Sequence, residues 1–254
     1  MTLRPDDVLM CSFPKAGSHW LWEVCSMLRQ GKSVYENRPK IQLMIDFVDV
    51  EEIDEQPSPR TLNTHLPFSM LPVQEIKDKR TKIVHVYRNP KAVVVSMYFM
   101  AKTAGFAIAD LKFGDFVDYF LSSQAPYGGY FGFLQQMNEF TQNNPDVPVL
   151  NVSYEGMIKD PVTNIRQLAK FLEVDVSDKL CEEIAEACSF QNMKNNFIEK
   201  SPARFGGGHV GDFQGGPGGE TDDWKNYLTV AMSEKLDAVA MEKMKGLPFT
   251  LHYT

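Results

Sequence analysis

Three times along the chain a short apolar run meets a turn and gives way to apolar positions at helical spacing. The run from Asp7 to Phe13 meets Pro14-Lys15-Ala16-Gly17, after which Trp20, Leu21, Val24, Met27 and Leu28 recur at helical intervals. Lys82 to Arg88 ends at Asn89-Pro90 and is followed by a mostly apolar helix from Ala92 to Ala101. Val149 to Tyr154 precedes Asp160-Pro161 and a helix with Ile165, Leu168, Ala169 and Leu172 on one face, where Pro161 suits the first helical turn. Thr61 to His65, bounded by Pro59 and Pro67, is a candidate fourth strand. Strands that are apolar on both faces and alternate with helices predict an α/β fold, a central parallel sheet flanked by helices. The reading assigns residues 1–254 to a single domain. Ligands of such sheets bind beyond the carboxyl ends of the strands, so Phe13, Arg88 and Tyr154 are expected at one crevice, with His65 at the same rim.

The pattern breaks over 200–223, where eight of the 17 glycines fall between Gly206 and Gly219. A segment of that kind is either a plain surface loop or a functional lid. Trp224 to Tyr227 and the amphipathic stretch Ser233 to Lys245 then close the domain. Composition adds constraints: 43% hydrophobic residues supply a sizeable core, and a net charge of −7 without a basic cluster argues against nucleic acid or an anionic membrane as partner. The acidic N-terminus and the lack of a membrane-spanning run lead to the expectation of a soluble, cytoplasmic protein. Cys11, Cys25, Cys181 and Cys188 form no C-x-x-C pair and are read as reduced packing residues, with no metal site.

The strongest chemical signal is Pro14-Lys15-Ala16-Gly17-Ser18-His19-Trp20 between strand and helix. A glycine turn that opens a helix presents backbone N–H groups and a positive dipole end to phosphate oxygens, and Lys15 adds a full charge. The loop is P-loop-like without being Walker A, because the lysine precedes its only glycine. Phe13 to Trp20 together with Arg88-Asn89-Pro90-Lys91-Ala92-Val93-Val94-Val95-Ser96, Asn63-Thr64-His65-Leu66-Pro67, Tyr154-Glu155-Gly156-Met157 and Cys188-Ser189-Phe190-Gln191-Asn192-Met193 resembles the cytosolic sulfotransferase family, in its motif order. The resemblance covers most of the chain, from Val8 to about Met244.

That resemblance implies a sulfotransferase that moves a sulfuryl group from 3′-phosphoadenosine-5′-phosphosulfate (PAPS) to the hydroxyl of a small lipophilic, phenolic or alcohol acceptor, releasing 3′-phosphoadenosine-5′-phosphate (PAP) without a metal. It implies that His65 is the general base and that Lys15, Ala16, Gly17, Ser18, His19 and Trp20 hold the phosphosulfate, with Lys15 also aiding catalysis. Arg88 and Ser96 are implied at the 3′-phosphate; Tyr154, Cys188, Phe190 and Met193 at the adenine side. Lys225, Thr229, Val230 and Glu234 match the family's dimerisation element, which implies a homodimer.

The departures are local. Asn63 stands where many members carry a lysine, and His19 replaces a small hydroxyl residue. The family's Arg-Lys pair is broken, leaving Arg204, Gly206, Gly207 and Gly208 as the expected 3′-phosphate contacts within a glycine-rich donor-site loop that carries an insertion. The N-terminal segment is short, which suggests an open acceptor site, and Phe13, Phe68, Met97, Phe99 and Phe131 are either its lining or core. Two other classes stay open on sequence alone: a phosphate-loop kinase, and a silent nucleotide-binding relative.

Overall fold

A computed structural model of the chain describes residues 1–196 and 221–252. Strands β1 (Val8–Ser12), β2 (Thr61–Thr64), β3 (Lys82–Tyr87) and β4 (Val149–Ser153) form one parallel sheet in the order β2-β1-β3-β4. All four lie where the apolar runs place them. Residues of β1 alternate between two cores: Leu9 and Cys11 join Ile83 on one face, whereas Val8 and Met10 join Val84, Val86 and Val152 on the other. Both faces are apolar because both are covered, as the sequence pattern requires.

Helix α1 (Ser18–Gln30) follows β1, and α2 (Val50–Glu55) and α3 (Val73–Lys79) flank β2 in the chain. After β3 come α4 (Pro90–Ala104), α5 (Phe113–Leu121) and α6 (Tyr130–Asn143). Helices α7 (Tyr154–Lys159), α8 (Pro161–Leu172) and α9 (Asp178–Ala187) follow β4, then α10 over residues 190–196. The last, α11 (Val230–Lys243), begins beyond a 3-10 turn at Asp223–Asn226. Residues of α1, α8 and α9 build the core on one face of the sheet; residues of α4, α5, α6 and α11 build the other. Pro161 does occupy the first turn of α8, whose Asp160 cap accepts from the Thr163 N–H. All four cysteines are free and buried, and burial pushes the thiols of Cys11, Cys25 and Cys188 up, so they stay protonated and inert.

Two buried polar groups show what the sheet needs. Arg60 and Asp7, each the residue before a strand, form a bidentate ion pair at 2.9 Å (Nε to Oδ1) and 2.5 Å (Nη2 to Oδ2), with both side chains 0% exposed. Register pairs Val8 with Thr61, so the ion pair continues the ladder by one residue and fastens the two strands at their N-terminal ends. Arg60 further donates to the carbonyls of Ile53 and Thr2 at 3.0 and 2.7 Å, satisfying most of its guanidinium. In β3, His85 is fully buried, donates from Nδ1 to Asn151 Oδ1 at 2.9 Å, and packs against Tyr87, Phe133 and Phe249. Burial lowers its pKa to about 4.

Both groups carry measurable consequences. Arg60→Met leaves the Asp7 carboxylate buried and unpaired, an expected loss of about 3–5 kcal/mol in urea unfolding, whereas Asp7→Leu with Arg60→Met loses less. Equal losses in the two variants would show that the pair does not act as a unit. For His85 the unfolded chain takes up a proton near pH 6.5 and the folded one only near 4, so stability falls as pH drops through that window. The native protein is expected to lose about 2 kcal/mol more than His85→Gln between pH 7 and 5; parallel pH profiles would contradict the assignment.

Candidate active site

The loop after β1 enters α1 through two left-handed residues, Lys15 at φ 66° and Gly17 at φ 108°. Gly17 caps the helix without a side chain, and first-turn N–H groups of a helix have no intrahelical acceptor, so the loop presents a ring of amides at the positive end of α1. Glycine is required there by contact as well as by conformation. A Cβ at position 17 would lie 2.4 Å from Tyr154 Cδ2, inside any allowed approach. Phe13 anchors the loop from below, edge-on to Phe120, Tyr130 and Phe133.

Tyr154, the first residue past β4, is the hub. The Arg88 guanidinium stacks 4.4 Å from its ring centroid, and Trp20 meets it edge-on at 6.1 Å. Arg88 Nη1 donates to the Lys15 carbonyl at 3.3 Å, while its Nε is buried with no hydrogen-bond partner among the described residues. A buried guanidinium nitrogen left open beside a glycine-built anion loop fits a phosphorylated ligand. Trp20 Nε1 donates to the Cys188 carbonyl at 2.6 Å, joining the loop helix to the end of α9. Cys188 and Met193 themselves point into the core, with Phe190 half-buried at the start of α10. Ser96 lies half-buried on α4, two turns into the helix that Arg88 leads into.

His65 follows β2 directly. Its Nδ1 lies 2.6 Å from the Ser12 carbonyl, an acceptor, so Nδ1 carries the proton and Nε2 the lone pair. The His65 N–H donates to both oxygens of Asp46 at 3.0 and 3.2 Å, and Tyr127 packs edge-on to the ring at 5.9 Å. Burial pushes the Asp46 carboxyl up, opposed by hydrogen bonds from the Thr64 hydroxyl and the His65 N–H. Burial and the nearby Asp46 carboxylate push the Tyr127 phenol up. Tyr127 holds left-handed backbone, φ 58° and ψ 25°, a strained state for a non-glycine residue that places its ring at His65.

The sequence motifs thus split into residues at the rim and residues that brace it. Asn89 caps α4 by accepting from the Lys91 N–H, and its own N–H donates to Glu155 Oε1 at 2.8 Å. Lys91 is buried against Asp237 at 2.7 Å, Ser233 at 2.8 Å and the Trp224 ring at 4.6 Å, tying α4 to α11. Arg204, Gly206, Gly207 and Gly208 lie outside the described residues, as does most of 200–223. Sequence reasoning missed Lys40, Asp46 and Tyr127, which carry no periodicity or motif to mark them. Of the five possible acceptor-pocket residues, Phe13, Phe68, Met97 and Phe131 are buried core and Phe99 packs on Tyr98 and Tyr227.

A cleft of about 290 Å³ lined by Gln74, Lys77, Asp78 and residues 143–147 sits where β3 and β4 begin, at the opposite end of the sheet. Ligands of parallel sheets bind at the carboxyl ends, and that cleft holds none of the converging groups. Among the described residues no group of three or more His, Cys, Asp or Glu could hold a metal ion, and no helix is long and apolar enough to cross a membrane.

Known proteins agree with this geometry. Bovine (Bos taurus) sulfotransferase 1E1 is 33% identical over 96% of this chain and 85% of its own length. Mouse (Mus musculus) sulfotransferase 1A1 is 32% identical over 98% and 88%. Among solved structures, mouse sulfotransferase SULT7A1 complexed with PAP superposes with a TM-score of 0.79 at 28% identity, over 98% of this chain and 88% of that one. The sequence model of the sulfotransferase domain matches residues 5–248, and the chain belongs to the sulfotransferase family and is an enzyme of that kind.

Proposed function

We propose that this chain transfers a sulfuryl group from PAPS to the hydroxyl of a small lipophilic, phenolic or alcohol acceptor, with His65 as the general base. The observation that carries this is the His65 tautomer. With Nδ1–H committed to the Ser12 carbonyl at 2.6 Å, Nε2 is the basic nitrogen, and Ser12 itself lies three residues before Lys15 of the loop on the neighbouring strand. The PAP-bound mouse relative supports the choice of donor.

When bound, PAPS supplies the sulfuryl group, and PAP is the product. Lys15, Ala16, Gly17, Ser18, His19 and Trp20 hold the phosphosulfate end through backbone amides and one ammonium; Arg88 and Ser96 take the 3′-phosphate. Tyr154 and Phe190 form the adenine side, with Cys188 and Met193 packed in the core behind them, and Arg204 with Gly206, Gly207 and Gly208 complete the 3′-phosphate contacts. His65 removes the acceptor's hydroxyl proton at Nε2 as that oxygen bonds to sulfur. The sulfur–oxygen bond to the 5′-phosphate breaks, and Lys15 and the loop amides stabilise the charge left on its oxygen. Asp46 fixes the His65 backbone, so the ring keeps its aim during proton transfer. The chemistry asks for no metal, and a soluble, cytoplasmic setting suits its donor.

The same reading includes a homodimer. Lys225 on the 3-10 turn, Thr229 at the cap of α11, and Val230 and Glu234 in its first turns are all exposed, and Val230 keeps 75% of its surface in solvent, an apolar residue where a small interface needs one.

His65→Ala is expected to lower turnover by about 10²–10⁴-fold while the affinity for PAP stays within a factor of about two. Near-normal turnover in that variant would remove His65 as the base. In sedimentation, Val230→Glu is expected to convert a dimer to a 28.8 kDa monomer; a native protein that already sediments as a monomer refutes the assembly.

A further inference from the structure

Lys40 opens a 3-10 turn, Lys40–Leu43, beside β2, the outer strand of the sheet. It is 8% exposed, and its ammonium donates to Ser18 Oγ at 3.3 Å. Ser18 is the first residue of α1, so a second ammonium stands at the amide ring of the anion loop, on a segment of chain remote from Lys15. The Lys40 charge also reaches Asp46, whose carboxylate it favours and which the His65 N–H and the hydroxyls of Thr64 and Tyr127 hold beside the loop.

The placement is constructed by β2. Asn63 is buried, and its Nδ2 donates to the carbonyls of both Lys40 and Leu43, at 3.1 and 2.9 Å. The Ile45 N–H donates to the Asn63 carbonyl at 3.0 Å, and Met44 bridges to Asn63 in parallel register. A neutral amide in the strand therefore holds the backbone of the turn, and the turn delivers the charge. We propose that Lys40 is a donor-binding cation that grips the 5′-phosphosulfate end of PAPS from the Ser18 side; this rests on the PAPS reading above. An ammonium at Ser18, added to the loop amides, matches an anion that carries charge on both phosphate and sulfate.

The test is equilibrium binding by calorimetry of the full chain with two probes. PAP carries a 5′-phosphate and adenosine 3′-monophosphate does not. Lys40→Met is expected to weaken PAP by about tenfold or more and to leave adenosine 3′-monophosphate unchanged, while Lys40→Arg retains most of the PAP affinity. Unchanged PAP affinity in Lys40→Met overturns the assignment. An equal loss for both probes also overturns it, since that is the signature of a structural role. If Lys40→Met melts below the native protein, Lys40→Gln takes its place. In the native protein labelled at lysine Cε, the Lys40 resonance is expected to move with PAP and not with adenosine 3′-monophosphate, and its failure to move overturns the proposal without any variant. A native protein that binds neither probe would instead remove the PAPS reading, a different outcome from a native protein that binds PAP as tightly as Lys40→Met does.

Discussion

The pairing of Arg60 with Asp7 is the constraint from which the site's geometry follows. A parallel ladder has evenly spaced, slanted hydrogen bonds, and nothing in the backbone alone prefers one register over the next. A bidentate ion pair shielded from solvent does prefer one, because a slip of one residue leaves two charges buried and unmatched. With that register set, Cys11 pairs with Thr64, and the next residues along, Ser12 and His65, meet. The tautomer of His65 is in this sense decided at the far end of the strand.

On the other side of β1, register aligns Ser12 with Val86 and Tyr87 with Ser153, so Arg88 and Tyr154 leave their strands at the same level. Their stacking over Gly17 then closes the rim. The bracing residues explain why the motifs occur together. Glu155 fixes the backbone at Asn89, Asn89 caps the helix that carries Lys91, and Lys91 reaches Asp237 on α11. Each motif supplies a group that another motif's position depends on, so a ligand-facing residue in one is useful only when its neighbours are present.

Charge follows the same logic of local placement. A chain with net charge −7 still brings a few cations and one helix N-terminus to the same end of its sheet, the arrangement that the proposed donor site uses. Lys15 comes from the loop, Arg88 from the end of β3 and Lys40 from the turn beside β2, and no two of them are near in sequence.

The sequence by itself determined the four parallel strands, the glycine turn between β1 and α1, the helix start at Pro161, and the grouping of Phe13, His65, Arg88 and Tyr154 at one edge. These are legible because they depend on local rules: apolar period, turn chemistry, and the topology of parallel sheets. Only the tertiary structure decided the rest. It turned Asn63 from the neutral substitute for a charge into the clamp of the turn that carries Lys40, and it set Asp46 and Tyr127 around His65. It also assigned Phe68, Met97 and Phe131 to the core. Contacts such as Asn63 with Lys40, or Ser12 with His65, join residues 23 and 53 positions apart and exist only once strand register and edge packing are fixed, so no local pattern records them.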